Sequence, residues 1–266
     1  MELTWFQALV IAVIEGLTEF LPVSSTGHMI IGESLLDVQP TPFVKAFTIV
    51  IQFGAILSVV ALYFKRFFQG WDFYLKLLIA FVPAAVFGVL FSDKIDDLLE
   101  NVAVVAAMLV VGGVLMLFVD RLFEKTAEDQ TVTPKKALVI GLCQCVAMVP
   151  GVSRSMATIV GGMSQKLTRA NAAEFSFFLA VPTMFAASAW KMLKLVSDDA
   201  SRQALADNLG VLLFGNAVAF AVALLAIKFF IGFIGRHGFK AFGYYRIAVG
   251  GLLLLLLGLG FELRVL

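Results

Sequence analysis

The sequence predicts an all-α polytopic membrane protein, with six transmembrane helices plus two re-entrant helical hairpins arranged as two inverted-topology repeats. Three observations carry that expectation. Of 266 residues, 61% are hydrophobic and only 15% charged, with a mean hydropathy of +0.96; soluble domains are about half apolar and about a quarter charged. Six apolar runs are long enough to cross a ~30 Å hydrocarbon core at ~1.5 Å per residue. Two further apolar segments are interrupted by Pro, Gly and hydroxyl residues. This composition excludes a water-soluble globule, a disordered tail, a coiled coil and a disulfide-stapled secreted module. With a formal net charge of +1, no nucleic-acid partner is expected. Cys143 and Cys145 point apart at i, i+2 on a helix, which reads as packing and not as a metal or disulfide framework.

The chain opens Met1-Glu2-Leu3, without the basic segment that precedes a cleaved signal peptide, so the first apolar stretch is expected to remain. Trp5–Leu21 runs into Pro22-Val23-Ser24-Ser25-Thr26-Gly27-His28 and resumes at Met29–Ile31. Proline ends one short helix, and the hydroxyl cluster after it supplies N-caps for the next. Three full spans follow, Phe43–Phe64, Phe73–Phe91 and Val102–Val119, separated by Lys65-Arg66 and Asp93–Glu100. Beyond the polar stretch Arg121–Lys136 the pattern starts again. Ala137–Val149 is too short to cross and meets Pro150-Gly151-Val152-Ser153-Arg154-Ser155 before Met156–Met163. The last three spans are Asn171–Leu193, Leu209–Phe230 and Tyr244–Phe261, joined by Ser197–Asp207 and Arg236–Lys240. Broken backbone at membrane depth is tolerated only inside protein or beside a water-filled cavity.

The two broken segments resemble each other. Ala8-Leu9-Val10-Ile11 recurs as Ala137-Leu138-Val139-Ile140, an offset of 129 that sets Glu15 opposite Gln144. From Pro22 and Pro150 the offset is 128, pairing Ser25 with Ser153 and Phe47-Thr48 with Phe175-Ser176. The single membrane domain 1–266 is therefore read as repeat one, 1–128, and repeat two, 129–266. Three spans per repeat is an odd number, so the second repeat enters the membrane inverted, with a site expected at the midplane between the broken elements. If Phe43–Phe64 runs outside to inside, thirteen Lys and Arg, from Lys65 to Arg246, fall on the cytoplasmic side. Six lie outside, and Arg154 is left in the interior. That bias fits the positive-inside rule. The first hairpin then dips in from outside, the second rises from the cytoplasm, and their tips meet.

What meets there is chemically unusual. Glu15 and Glu19 share one helix face at i, i+4. Ser24, Ser25, Thr26 and His28 follow the first break; Ser153, Arg154, Ser155 and Thr158 follow the second. Each ionised group at membrane depth costs about 2.5–3.5 kcal/mol on insertion scales, so such groups are usually functional. Two helix N-termini aimed at one volume, with the Arg154 fork, suit an anion. The Glu pair suits a divalent cation, Mg²⁺ or Ca²⁺, bridging to phosphate. Together these groups point to phosphoryl transfer. Plainer readings stand beside this one. A structural lock on Arg154 is the plainer role for Glu15 and Glu19, N-capping that for the Ser24–Thr26 hydroxyls, and a satisfied structural donor that for His28. Glu174 reads as a structural acceptor as readily as a catalytic group, Gln52 as architectural, and the pairs Gly112-Gly113, Gly161-Gly162 and Gly250-Gly251 as close helix packing. A two-histidine lipid-phosphatase mechanism fails, because the second of two histidines, His237, falls in a cytoplasmic loop.

Glu15-Gly16-Leu17-Thr18-Glu19-Phe20-Leu21-Pro22-Val23-Ser24-Ser25-Thr26-Gly27-His28 resembles the Glu-rich signature of bacterial undecaprenyl-diphosphatases, the bacitracin-resistance family. Pro150-Gly151-Val152-Ser153-Arg154-Ser155-Met156-Ala157-Thr158 is similar to that family's second signature, Pro-Gly-x-Ser-Arg-Ser-x-x-Thr, at every fixed position. The resemblance extends to Glu174-Phe175-Ser176-Phe177 and Ala180-Val181-Pro182. It implies an integral hydrolase of the bacterial cytoplasmic (inner) membrane, dependent on a divalent cation and open to the periplasmic side. Its substrate would be a polyprenyl diphosphate lipid, converted from undecaprenyl diphosphate to undecaprenyl phosphate and inorganic phosphate. That reaction recycles the carrier for peptidoglycan synthesis and confers bacitracin resistance. Carried onto matching positions, the resemblance implies Glu15 as metal ligand and Glu19 as base or metal ligand. Arg154 would hold phosphates; Ser24, Thr26, Ser153, Ser155 and Thr158 would bind substrate. The nucleophile stays open between Ser25, His28 and a metal-bound water. The alternative from another class is a transporter or flippase of undecaprenyl phosphate or a small anion, built on the same inverted-repeat plan. The Gly-rich last span offers a surface for a homodimer.

Overall fold

A computed structural model describes residues 3–68, 70–99, 101–261 and 263. Among them there is no strand. The chain winds through α1 (Trp5–Thr18), α2 (Ser25–Leu35), α3 (Pro42–Leu62), α4 (Trp71–Leu90), α5 (Ser92–Leu99) and α6 (Val102–Leu122). It continues through α7 (Pro134–Val146), α8 (Arg154–Ser164), α9 (Arg169–Val196), α10 (Asp199–Asp207), α11 (Leu209–His237) and α12 (Lys240–Gly258). Six of these, α3, α4, α6, α9, α11 and α12, are long and apolar enough to cross a membrane, and they are the six spans read from the sequence. The protein is an all-α, multi-pass membrane protein. On α11, Leu213, Leu225 and Phe229 are each more than 60% exposed, the outward apolar face that lipid, not water, would cover.

Local chemistry starts several helices where the sequence places them. Thr4 accepts from the Gln7 N–H while the Gln7 side chain accepts from the Thr4 N–H, a complete capping box. Thr41 and Thr133 cap α3 and α7 ahead of Pro42 and Pro134 at the first helical position. Asn101 accepts from two N–H groups of α6. Two segments read as loops, Asp93–Glu100 and Ser197–Asp207, instead hold the short helices α5 and α10. Each has an acidic residue in its first turn, favourable at the positive end of the helix. Ala204 and Leu205 of α10 also pack against the cluster formed by α1, α3 and α11. That tertiary contact is invisible to loop composition.

The two hairpins share one backbone register. Helix α2 and helix α8 coincide when shifted by 129 residues, as do the capping residues Thr4 and Thr133. Four non-glycine residues have positive φ among the described residues: Ser24 (70°), Asp37 (49°), Ser153 (76°) and Lys166 (64°). They fall into two pairs with the same separation, one starting and one ending the second helix of each hairpin. Both ends close alike, Val38 N–H donating to Glu33 O and Leu167 N–H to Gly162 O, the long bond of a Schellman cap. The backbone therefore sets Ser24 opposite Ser153 and Ser25 opposite Arg154. Matching serines by identity from the prolines is one residue out of step with this.

The halves interleave. Helix α1 packs on α11 and α7 on α4, so the first helix of each hairpin lies against a span from the other half of the chain; α3 meets α9, and α6 meets α12. At the α6–α12 contact a Cβ on Gly113 would sit 2.8 Å from the Gly243 carbonyl oxygen, and one on Gly243 equally close to that of Gly113. Only glycine permits backbones so near. Gly250 likewise faces the Ala106 carbonyl, whereas Gly251 faces outward with nothing near it.

Candidate active site

The site is built where the two breaks meet. Helix α1 ends at Thr18, and Glu19 closes it as C-cap, its N–H bonded to Glu15 O. The chain then turns through Phe20–Val23, and Ser24 and Ser153 take up their positive φ to start the second helices. Ser25 and Arg154 are the first residues of α2 and α8, and both reach the same carboxylate. Ser25 Oγ donates to Glu19 Oε2 at 2.8 Å. Arg154 Nη2 donates to Glu19 Oε1 at 3.1 Å, an ion pair whose side chains are 13% and 9% exposed. An acid from one hairpin and the guanidinium of the other are thus in contact.

Arg154 is held from several sides. Its Nη1 donates to Ser176 O at 3.1 Å and contacts Ser176 Oγ at 3.4 Å, and its Cζ lies 5.6 Å from the Phe20 ring centroid. Its Nε is buried without a partner, as is Glu15 Oε1. Buried polar atoms are nearly always bonded, so these two are the site's spare donor and acceptor. Glu15 lies one helical turn from Glu19 and is itself buried. Two carboxylates, one with an unused oxygen, suit a divalent cation that takes its remaining ligands from water and phosphate. No cluster of three or more His, Cys, Asp or Glu exists among the described residues, so an all-protein metal cage is not present there.

Other residues singled out from the sequence have more defined places. Ser155 is fully buried, its hydroxyl donating to Leu21 O at 2.8 Å and touching Ser153 Oγ at 3.0 Å. Thr158 is equally buried, bonded to Arg154 O at 2.8 Å and Ser176 Oγ at 2.6 Å. Both hydroxyls brace the junction from behind. Ser153 caps α8 by accepting from Met156 N–H at 3.3 Å, whereas Ser24 makes no side-chain cap bond. Thr26 is half-buried beside Ser25. Both ring nitrogens of His28 are engaged away from the ion pair. Its Nδ1 lies 2.8 Å from Ser24 O and its Nε2 2.7 Å from Tyr245 Oη. A carbonyl can only accept, so Nδ1 carries the hydrogen and Nε2 accepts from the tyrosine. Glu174 lies elsewhere, ion-paired to Arg66 at 2.6 Å, and Gln52 accepts from Ser188 at 3.1 Å.

Sequence reasoning missed Ser176, Tyr245 and Arg246. Ser176 stood within a recognisable motif, but its tie to Arg154 depends on α9 packing against α8. Tyr245 lies in an apolar span, where an aromatic residue carries no signal. Arg246, which falls within the last span and was counted among the cytoplasmic charges, is fully buried in α12. Its removal leaves the charge bias with the same sign.

The profile of the family described as bacitracin resistance protein BacA matches residues 8–252. The chain belongs to that family. Proteins named undecaprenyl-diphosphatase are its relatives. One from Flavobacterium psychrophilum is 59% identical over 254 residues, covering 96% of each chain. Another from Porphyromonas gingivalis is 56% identical over 282 residues, covering 99% of this chain and 100% of the relative. A third, from Aquifex aeolicus, is 40% identical over 252 residues, covering 93% and 96%. The BacA match takes in both breaks, Glu15 and Glu19, Arg154 and Ser176, and the Tyr245-Arg246 pair of α12.

Proposed function

We propose that this BacA-family protein is a membrane phosphatase that hydrolyses undecaprenyl diphosphate to undecaprenyl phosphate and inorganic phosphate. It would thereby recycle the peptidoglycan carrier and confer bacitracin resistance. One observation carries the reading of the site: Ser25 and Arg154, the first residues of two half-helices from opposite repeats, converge on the Glu19 carboxylate. An anion already sits where two helix N-termini and a guanidinium point, and a terminal phosphoryl group is the substrate that fits such surroundings.

Ser25 is the nucleophile in this reading. Its proton passes to Glu19 Oε2 as Oγ bonds to the terminal phosphorus. The bond from that phosphorus to the bridging oxygen breaks, and the prenyl monophosphate leaves with the proton from Glu19, which is a carboxylate again. Water then cleaves the phosphoserine, with Glu19 as its base. Arg154 Nε and Nη2 take the phosphate oxygens, while Thr26 and the Ser24 and Ser153 hydroxyls line the same break. Glu15, with Glu19, would hold a divalent cation, Mg²⁺ or Ca²⁺, which when bound would neutralise phosphate charge. We read the two halves as inverted repeats with the site open to the periplasmic side of the inner membrane, where the spent diphosphate carrier would be released.

The purified protein in detergent, given a prenyl diphosphate and Mg²⁺, should release inorganic phosphate, and a rapid quench under single-turnover conditions should trap phosphate on Ser25. Phosphate release without any phosphoenzyme would transfer the attack to a metal-bound water. Transport of the monophosphate across vesicles with no phosphate released would replace the hydrolase by a carrier.

A further inference from the structure

Arg246 is the largest fully buried side chain among the described residues, and the reaction described above makes no use of it. No carboxylate pairs with it among the described residues. Its partners are all backbone carbonyls. Nη1 donates to Pro22 O at 3.1 Å and Nη2 to Gly151 O at 2.7 Å. Nη2 also reaches Met108 O at 3.2 Å, and Nε reaches Leu109 O at 3.3 Å. Pro22 belongs to the break of the first hairpin and Gly151 to the break of the second, so one guanidinium holds both tips. The two remaining carbonyls anchor it to α6. A break in a membrane helix leaves carbonyls that neither lipid nor the next turn can satisfy. A planar fork with five donors can bind several of them at fixed angles, which the point charge of a lysine cannot.

The surroundings are shaped for this group. A Cβ on Gly112 would lie 2.4 Å from Arg246 Nη2 and 3.0 Å from Cζ, so glycine at that position clears the space the fork occupies. Burying an unpaired cation in a membrane protein is costly. A purely packing role would be met more cheaply by an apolar residue.

We propose that Arg246 is a positioning residue: it clamps the carbonyls of both hairpin breaks, and so fixes Ser25 and Glu19 of one hairpin against Arg154 of the other. The inference rests on the reading of that junction as a phosphatase site, and the clamp itself is testable without activity. In the purified full chain in detergent, hydrogen exchange at the amides of Ser24–Thr26 and Val152–Ser155 should speed up about tenfold or more in Arg246→Met, while the spans stay protected. Unchanged exchange at both breaks would overturn the clamp, whatever the enzyme does. For catalysis, Arg246→Lys keeps the charge but removes the fork, and Gly112→Ala keeps the fork but displaces it. Each should lower kcat for phosphate release by ~100-fold with KM held, the loss expected from a small misalignment of reacting groups. Combining Arg246→Met with Glu19→Gln should cost no more than Glu19→Gln alone, since the alignment serves the base that Glu19→Gln removes. Losses that multiply, or folded variants with wild-type kcat, would reject the positioning role. If Arg246→Met does not yield folded protein, Gly112→Ala carries both measurements. A wild-type protein that releases no phosphate would sink the phosphatase reading and leave the exchange result to decide the clamp.

Discussion

Glu19 has its two oxygens on different partners, Ser25 and Arg154, and substitutions there separate chemistry from structure. Glu19→Gln keeps the shape and hydrogen-bonding reach but loses basicity. We expect phosphate release to fall by ~100- to 10,000-fold, the usual worth of a positioned base, with the protein still folded by size-exclusion and circular dichroism. Arg154→Ala should cost at least ~100-fold, mostly in kcat, as for loss of a preorganised donor to developing charge. Full turnover in both variants would show that the reaction occurs elsewhere. Tyr245→Phe removes only the hydroxyl that donates to His28 Nε2 and leaves the stacked ring, whose centroid is 5.4 Å from the imidazole. A neutral hydrogen bond is worth ~0.5–1.5 kcal/mol, so the rate should drop by several-fold, not by orders of magnitude. A loss as deep as that of Glu19→Gln would move His28 into the chemistry itself.

At the scale of the hairpin, strain and function can be traded. Ser24 holds φ 70°, ψ 101° without a side-chain cap bond, a conformation that costs a non-glycine residue ~1–3 kcal/mol. Ser24→Gly should therefore raise the detergent melting temperature while lowering turnover if the hydroxyl serves the substrate; melting curves and phosphate release on the same sample read both. Thr133→Val removes the cap that accepts from Lys136 N–H and should destabilise α7 by ~0.5–2 kcal/mol. Its mark is earlier melting with little change in KM. These hairpin ends were legible because Pro, Ser, Thr and Gly act on the backbone locally. The register between hairpins was less so: identical serines suggested one alignment, whereas the left-handed residues follow another. Side-chain identity at a break answers to the site, while φ and ψ answer to where the next helix begins.

Across the whole molecule, the spans hold together by close backbone approach as much as by side-chain packing. Gly113→Leu would drive a side chain into the Gly243 carbonyl and should part α6 from α12, the helix that carries Tyr245 and Arg246. We expect loss of activity together with aggregation on extraction, seen by fluorescence-detected gel filtration. The orientation read from charge is checked by labelling single cysteines placed at Lys94 and Lys136 in intact cells. A membrane-impermeant thiol reagent should reach the first and not the second, and the opposite pattern would turn the protein over.

Composition and spacing along one dimension determined the number of spans, the two places where they break, and which polar groups the membrane must contain. Each is a question of whether a segment can satisfy its own backbone in lipid, and a segment's sequence answers it. Only tertiary structure decided that Glu19 meets Arg154 across 135 residues of chain, that Ser176 supports the guanidinium, and that Arg246 turns inward from the last span to bind both breaks. Those pairings depend on which helices pack together, and in lipid that choice rests on shape and close approach between distant segments, which no local pattern records.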